Sequence, residues 1–225
     1  MHFRAASDQA ILVYLGDEIG TVAHTRVVRL LRMLQAESLP WVKNLQPAYC
    51  SLQISFDACK VDHAEVEAAV RAYELRAERE STLPPGRRVE IPVCYGGEFG
   101  PDLTDLAAMH SRTPEAVAKL HASQTYRAYF LGFAPGFAYL GDLPEEIAAP
   151  RLDSPRKKVP AGSVAIAGRQ TAVYPFNTPG GWRLIGRTPL QIFRAERDPM
   201  GLIAVGDEVH FYPITRAEFE SWEKS

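Results

Sequence analysis

The chain has 225 residues and a formal net charge of −2, a length that suits one large domain or two small ones. Hydrophobic residues make up 46% and charged residues 23% of the chain, as in an ordinary soluble globular protein. The weak net charge excludes binding to nucleic acid or to an anionic membrane through overall electrostatic attraction. No apolar run approaches the roughly 18 residues that a membrane helix needs.

The first 84 residues predict alternating strands and helices. The apolar run 11–15 predicts a strand, and the apolar positions within 27–34 recur with a helical period. Clean alternation over 52–56 predicts a strand with one wet face, and 62–79 predicts a helix with acids at its start and arginines toward its end. We therefore expect an α+β sandwich over 1–84, of order ββαββα, with both helices on one face of an antiparallel sheet.

The sequence Leu83-Pro84-Pro85-Gly86 predicts a domain boundary, because it cannot extend a helix. Two short helices are expected after it, and Thr113 caps the second one ahead of a proline at the first helical position. Many short strands separated by glycine and proline then favour a closed or nearly closed β-barrel over residues 87–225. The strands are expected at 89–93, 126–133, 163–167, 171–174, 182–186, 190–193 and 209–212, with a long loop after 133 and a terminal helix over 217–222.

Cysteine usage bears on location. The chain has three cysteines, an odd number, and they form no C-x-x-C pair; they are Cys50, Cys59 and Cys94. A disulfide framework is therefore not expected, and we expect the protein in the reducing cytoplasm. The first ten residues contain no apolar core, so a signal peptide is not expected either.

Glycine, proline and positive charge concentrate in one segment, roughly 131–188. Residues 132–182 hold 7 Gly and 7 Pro, and such stiff loops lose little entropy on ordering around a ligand, although tight barrel corners need the same residues. Residues 151–187 contain seven basic residues and one acid, so this stretch carries +6 and the remainder −8. Arginine suits capture of a carboxylate or phosphate. The alternative is a solvated basic loop, or one docked on an acidic partner.

Several familiar chemistries find no support. Ser163 does not lie in a G-x-S-x-G elbow, so a hydrolase nucleophile is not expected there. The six histidines lack metal-ligand spacing, and neither a Walker A motif nor G-x-G-x-x-G occurs. The hydroxyls of Ser163 and Thr178 and the amide of Gln170 more plausibly hydrogen-bond a ligand.

Ring-bearing residues of the same segment are expected to wall a pocket, although barrel core is the alternative role for at least half of the aromatic ones. These residues are Phe133, Pro135, Tyr139, Tyr174 and Trp182.

Three motifs resemble the KipI family. They are FLGFAPGFAYL at 130–140, VPAGSVAIAG at 159–168 and PGGWRLIGRT at 179–188, and PVCYGGEFGPDL at 92–103 fits as well. The family includes the PxpB subunit of bacterial 5-oxoprolinase, allophanate hydrolase subunit 1 and the inhibitor of a sporulation histidine kinase. The resemblance covers nearly the whole chain, and it is highly specific in the second half and loose in the first.

The resemblance implies a cyclophilin-like β-barrel for residues 87–225. It also implies two partners, one KipA-like (PxpC-like) and one PxpA-like, in an assembly that converts 5-oxo-L-proline to L-glutamate with ATP. Whether this chain itself binds ATP is left open. The cyclophilin-like fold does not imply prolyl isomerase activity.

Because 5-oxoproline is a lactam that carries a carboxylate, the +6 stretch is where we expect this anion to be held. Three arginines would clamp the anion, three polar side chains would orient the amide, and the backbone N–H groups of two glycines would cradle an anion. These residues are Arg151, Arg156, Arg183, Ser163, Gln170, Thr178, Gly180 and Gly181. No residue is a convincing general base, so catalytic groups are expected to come partly from a partner. The alternative function is a regulatory module that docks on a histidine kinase.

Overall fold

A computed structural model describes residues 1–79 and 86–222, so Leu83, Pro84 and Pro85 of the predicted boundary lie outside the described residues. The chain divides into two compact units, Met1–Pro85 and Gly86–Ser225, and each is described by itself. Whether they act as the two predicted domains, 1–84 and 87–225, stays a prediction. Within the described ranges, no helix is long and apolar enough to cross a membrane.

The first unit has the element order ββαββα. Its elements are β1 (His2–Ser7), β2 (Ala10–Tyr14), α1 (Thr21–Glu37), β3 (Val42–Pro47), β4 (Ser51–Phe56) and α2 (His63–Arg79). The strands form one antiparallel sheet in the order β1-β2-β4-β3, and α1 packs on β3, β4 and α2. Leu52 and Ile54 are fully buried whereas Gln53 and Ser55 are half-buried, which is the alternation that the sequence predicts for this strand.

The second unit contains a closed β-barrel, as the sequence predicts. Its elements are β5 (Arg88–Tyr95), α3 (Leu103–Met109), α4 (Pro114–Ala122), β6 (Thr125–Leu131), β7 (Ala138–Gly141), β8 (Arg156–Val159), β9 (Ser163–Ala167), β10 (Gln170–Val173), β11 (Thr178–Gly180), β12 (Arg183–Arg187), β13 (Glu208–Pro213) and α5 (Arg216–Trp222). Within the described residues, seven strands close in the order β10-β7-β6-β13-β5-β12-β9, and β8 and β11 form a separate two-stranded ribbon.

The strand predicted at 190–193 is wrong. Only an isolated bridge joins Phe193 to Gly201 there, although Ile192 is 1% exposed. The segment begins after Pro189, which has no N–H group, and the Thr188 hydroxyl accepts the N–H of Leu190 at 3.2 Å. Burial of an apolar side chain therefore occurs here without a strand ladder. Conversely, the sequence predicts none of three short strands, because three or four residues between glycines and prolines give no readable alternation. β7 and β8 lie in the predicted long loop, and β11 lies between the strands predicted at 171–174 and 182–186.

Strand β9 is buried on both faces. Val164 and Ile166 join the barrel interior, whereas Ala165 and Ala167 belong to a second apolar cluster on the outer face. Val159 of the β8–β11 ribbon belongs to that outer cluster too. The small alanine side chains let the ribbon approach the barrel wall closely.

Asp102 ties the ribbon to the barrel. Its side chain is 8% exposed, and it accepts one hydrogen bond from the backbone N–H of Leu184 and one from Nη2 of Arg156, both at 2.6 Å. The Asp102 N–H also donates to the Leu184 carbonyl at 3.0 Å. One buried carboxylate thus joins the start of α3 to β12 and β8, and breaking such a pair by removing one partner costs about 3–5 kcal/mol.

A buried histidine connects α4 to the barrel wall. His121 is 0% exposed, with Nδ1 2.7 Å from the Tyr95 hydroxyl and Nε2 2.9 Å from Oγ1 of Thr171. The Thr171 hydroxyl donates its single proton to the Ala165 carbonyl, so it accepts from Nε2–H, and Nδ1 accepts from Tyr95. Burial lowers the pKa of His121 to about 3.

This burial predicts an acid-sensitive fold. Below pH 6.5, the ordinary pKa of histidine, residue 121 of the unfolded chain binds a proton, whereas His121 of the folded chain stays neutral down to about pH 3. The free energy of unfolding therefore decreases as the pH falls from 6.5 toward 3, by about 1.4 kcal/mol per pH unit. Between pH 7 and pH 5 the free energy of unfolding should drop about 2 kcal/mol more in the wild type than in His121→Gln. Urea unfolding at both pH values measures this. His2→Gln, which removes an exposed histidine, should retain the full pH dependence.

Candidate functional site

The predicted ring-bearing residues pack mainly against one another on the outer face of the barrel. The Tyr139 and Trp182 rings are 5.8 Å apart, and the Phe137 ring lies 5.3 Å from Tyr174 and 5.6 Å from Trp182. Tyr174 and Trp182 are 2% and 5% exposed, and burial raises the pKa of Tyr174, which keeps its hydroxyl neutral. These rings form an apolar layer under the ribbon rather than an open wall.

Phe133 and Pro135 are exposed at the edge of this layer, where the Phe133 ring lies 5.2 Å from Phe137 and 6.2 Å from Tyr174. Phe133 is the centre of a tight turn in which the Ala134 N–H donates to the Gly132 carbonyl at 2.8 Å. Its φ is +66°, a rare value for a bulky residue, yet its side chain remains 61% exposed. Backbone strain of this kind is concentrated at functional sites.

The three predicted arginines already have partners within the fold. Arg156 is paired with Asp102, Arg183 donates from Nε to the Pro150 carbonyl at 3.0 Å, and the Arg151 guanidinium lies 5.9 Å from the Trp182 ring. All three therefore surround the β8–β11 ribbon and its loops. Their role as anion clamps stays a prediction.

The other predicted ligand contacts fall into two groups. Thr178 and Gly180 lie in β11 opposite Val159 and Arg156, and the Gly181 carbonyl accepts from Leu152 at 2.7 Å. Oγ1 of Thr178 and Nη1 of Arg156 are buried and have no hydrogen-bond partner in the described part of the chain. This group is therefore together on the ribbon, beneath the surface.

Ser163 and Gln170 are not brought together. They begin the paired strands β9 and β10, in which Gln170 lies opposite Ala167 and Val173 opposite Val164. This register places Ser163 at one end of the hairpin and Gln170 at the other, so the two side chains cannot contact one small ligand.

A cleft of about 740 Å³ opens at the Ser163 end of this hairpin. The predicted segment supplies half of its lining, and the loop after β12 and the end of α5 supply the rest. The lining residues are Ala161, Gly162, Pro175, Phe176, Arg187, Thr188, Pro189, Leu190, Gln191, Phe193, Arg194 and Trp222. None is among the ligand contacts predicted from the sequence. Arg187 belongs to the +6 stretch, but Arg194 lies beyond it. Because the sequence predicts a strand at 190–193, it gave no indication that this segment is a loop lining the cleft.

The cleft is electropositive. Its lining contains Arg187 and Arg194 and, in the part of the chain that the structure describes, no acidic residue. Nε of Arg187 donates to the Ala161 carbonyl at 2.8 Å, and Nε of Arg194 donates to Oε1 of Gln191 at 2.5 Å. These bonds orient the guanidiniums and leave their Nη groups available, an arrangement suited to an anion with two oxygens.

Gly162 shapes the floor of the cleft. Its φ is +81°, its N–H donates to the Tyr174 carbonyl at 2.7 Å, and its carbonyl accepts from the Thr188 N–H at 2.9 Å. A Cβ at this position would lie 2.4 Å from the Thr188 carbonyl oxygen. Only glycine allows both this backbone conformation and this approach.

We expect Gly162→Ala to deform the cleft. Gly168→Ala is the matched control, because Gly168 also has a positive φ, +57°, but a Cβ there meets nothing within 4 Å. Both substitutions incur the backbone strain of about 1–2 kcal/mol, and Gly162→Ala should cost about 1–3 kcal/mol more through the clash. Thermal unfolding of the two variants measures the difference. Equal stabilities would contradict the close approach at Gly162.

Comparison with known proteins places these features in a family context. The sequence profile of the carboxyltransferase domain, subdomain C and D, matches residues 1–203. A Bacillus subtilis protein, named as the B subunit of 5-oxoprolinase, is 42% identical in an alignment of 226 positions that covers 96% of this chain and 94% of that protein. A protein of the same name from Escherichia coli O157:H7 is 40% identical over 92% of this chain and 93% of its own length.

A solved structure shares the fold. The crystal structure of TTHA0988 aligns with a TM-score of 0.81 and 31% sequence identity over 92% of this chain. This chain spans only 40% of that protein, so the same fold occurs there within a longer polypeptide.

Proposed function

This chain belongs to the family of the carboxyltransferase domain, subdomain C and D, and on that premise we propose that it is the PxpB subunit of an ATP-dependent 5-oxoprolinase. The observation that carries the proposal is identity of 42% and 40% to two proteins named as the B subunit of that enzyme, each aligned over more than nine-tenths of both lengths. The resemblance that the motifs indicate is thereby confirmed. The assembly would convert 5-oxo-L-proline to L-glutamate.

The partners are a KipA-like (PxpC-like) protein and a PxpA-like protein, with which this chain would work in the cytoplasm. The occurrence of the same fold within the longer TTHA0988 chain supports a companion domain. Exposed apolar side chains in the second unit support a protein partner as well, because Phe133, Phe176 and Trp222 expose 61%, 39% and 44% of their surface. Within this assembly, the barrel is proposed to be a cyclophilin-like scaffold of a second domain, without isomerase activity.

ATP is proposed as a substrate that the assembly consumes. The sequence lacks both Gly-rich phosphate-binding patterns. Among the described residues, the cleft contains two arginines and no carboxylate of the kind that holds the Mg²⁺ that accompanies ATP. No step that uses ATP is therefore assigned to residues of this chain.

Reconstitution tests the proposal. We expect ATP-dependent hydrolysis of 5-oxoproline by the three purified proteins to fall to background when this chain is omitted, and to return when it is added back. Glutamate release and ATP consumption are the measurements. Full activity without this chain would reject its role in the enzyme.

The regulatory alternative is examined in the same preparation. If the chain inhibits autophosphorylation of a histidine kinase at stoichiometric concentration and contributes nothing to hydrolysis, the regulatory function replaces the proposed one.

A further inference from the structure

We propose that the cleft between Arg187 and Arg194 is a binding site for a small carboxylate attached to a flat ring. The two guanidiniums would hold the carboxylate, and Phe176 and Phe193 would pack against the ring. The choice of 5-oxoproline as the ligand rests on the proposed function, whereas the class of ligand follows from the cleft itself.

Charge is the first argument. Among residues 1–79 and 86–222, the cleft lining carries two positive charges and no negative one, and neither guanidinium has a carboxylate partner there. Other arginines of the same unit are paired, since Arg87, Arg156 and Arg216 each contact an Asp or Glu side chain within 2.7 Å. The two arginines of the cleft thus differ from these in leaving their positive charge for an anion from outside.

Orientation is the second argument. Arg187 is held through Nε by the Ala161 carbonyl and lies 5.8 Å from the Phe219 ring, and Arg194 is held through Nε by Gln191. Both guanidiniums are therefore partly fixed before a ligand arrives, which lowers the entropy lost on binding. The free Nη edges match the two oxygens of a carboxylate.

Shape and apolar surface are the third argument. The Phe176 and Phe193 rings are 5.5 Å apart at an interplanar angle of 60°, and Phe176 is 39% exposed. An exposed ring beside a cationic pair suits a ligand that is flat and apolar at one end and anionic at the other. The cleft volume of about 740 Å³ lies inside the range of about 300–1,000 Å³ that ligand pockets occupy, with room for a partner's residue.

The test is a calorimetric titration with three probes, carried out on the whole chain and on the reconstituted assembly. L-5-oxoproline should bind saturably, whereas 2-pyrrolidone, which has the same ring without the carboxylate, and acetate, which has the carboxylate without the ring, should each bind at least about tenfold more weakly. If 5-oxoproline binds neither the whole chain nor the reconstituted assembly, the proposal is overturned. Equal affinity for 2-pyrrolidone would overturn the role of the arginines.

Charge-matched variants locate the site. Arg187→Gln and Arg194→Gln should each weaken 5-oxoproline binding at least about tenfold. The matched control is Arg169→Gln, which removes the same charge from an exposed residue at the opposite end of the β9–β10 hairpin and should leave binding unchanged. Arg151→Gln and Arg183→Gln are the ribbon variants, which test the ribbon as the alternative site. Loss confined to the ribbon variants would overturn the cleft and favour the ribbon site. Because Arg194 is exposed, Arg194→Gln should unfold at the wild-type temperature, which separates loss of binding from loss of fold.

The inference and the proposed function fail separately. If the cleft variants lose 5-oxoproline binding but the assembly hydrolyses it without this chain, the binding site stands and the role in the enzyme is rejected. If the assembly requires this chain but Arg187→Gln and Arg194→Gln keep the wild-type KM for 5-oxoproline, the function stands and the cleft is not the substrate's site.

Discussion

The buried carboxylate of Asp102 fixes the position of the β8–β11 ribbon on the barrel of the second unit. It joins α3 to β12 through Leu184 and to the β8–β11 ribbon through Arg156, at a point where water cannot substitute for either donor. The ribbon in turn covers the alanine-rich outer face of β9 and β10, together with Tyr174 and Trp182. Strand β9 can therefore be apolar on both faces, which is unusual for a strand in an antiparallel sheet with one solvated face.

This constraint divides the arginines of the cationic segment between two tasks. Arg156 is paired with the Asp102 carboxylate, and Arg183 donates from Nε to the Pro150 carbonyl, so both help to hold the ribbon and its loops. Arg187 stands at the other end of the β9–β12 pairing, opposite Ser163, and it lines a cleft whose described residues include no acid. Arginines in one stretch of sequence thus differ in whether their guanidinium groups are available to a ligand, because their partners come from elsewhere in the chain.

The strained turn at Phe133 lies on the same side of the molecule's second unit as the cleft wall. Gly136, three residues along, touches Phe193 so closely that a Cβ would lie 2.7 Å from the Phe193 Cβ. The turn and the wall are consequently coupled by packing, and an exposed ring in a disfavoured backbone state is held next to the proposed ligand site.

Sequence alone determined the elements whose signal is local. Periodicity located α1, α2 and β4, Thr113 marked the start of α4, and short strands separated by glycine and proline indicated a barrel. Tertiary structure decided which residues are free to act. Asp102 neutralises Arg156 from 54 positions away, and the loop at 189–194 forms a cleft wall rather than a strand. Such pairings depend on strand register and long-range contacts, which leave no periodic pattern in the sequence. The cationic segment could therefore be recognised from the sequence, whereas the two arginines that line the cleft could not.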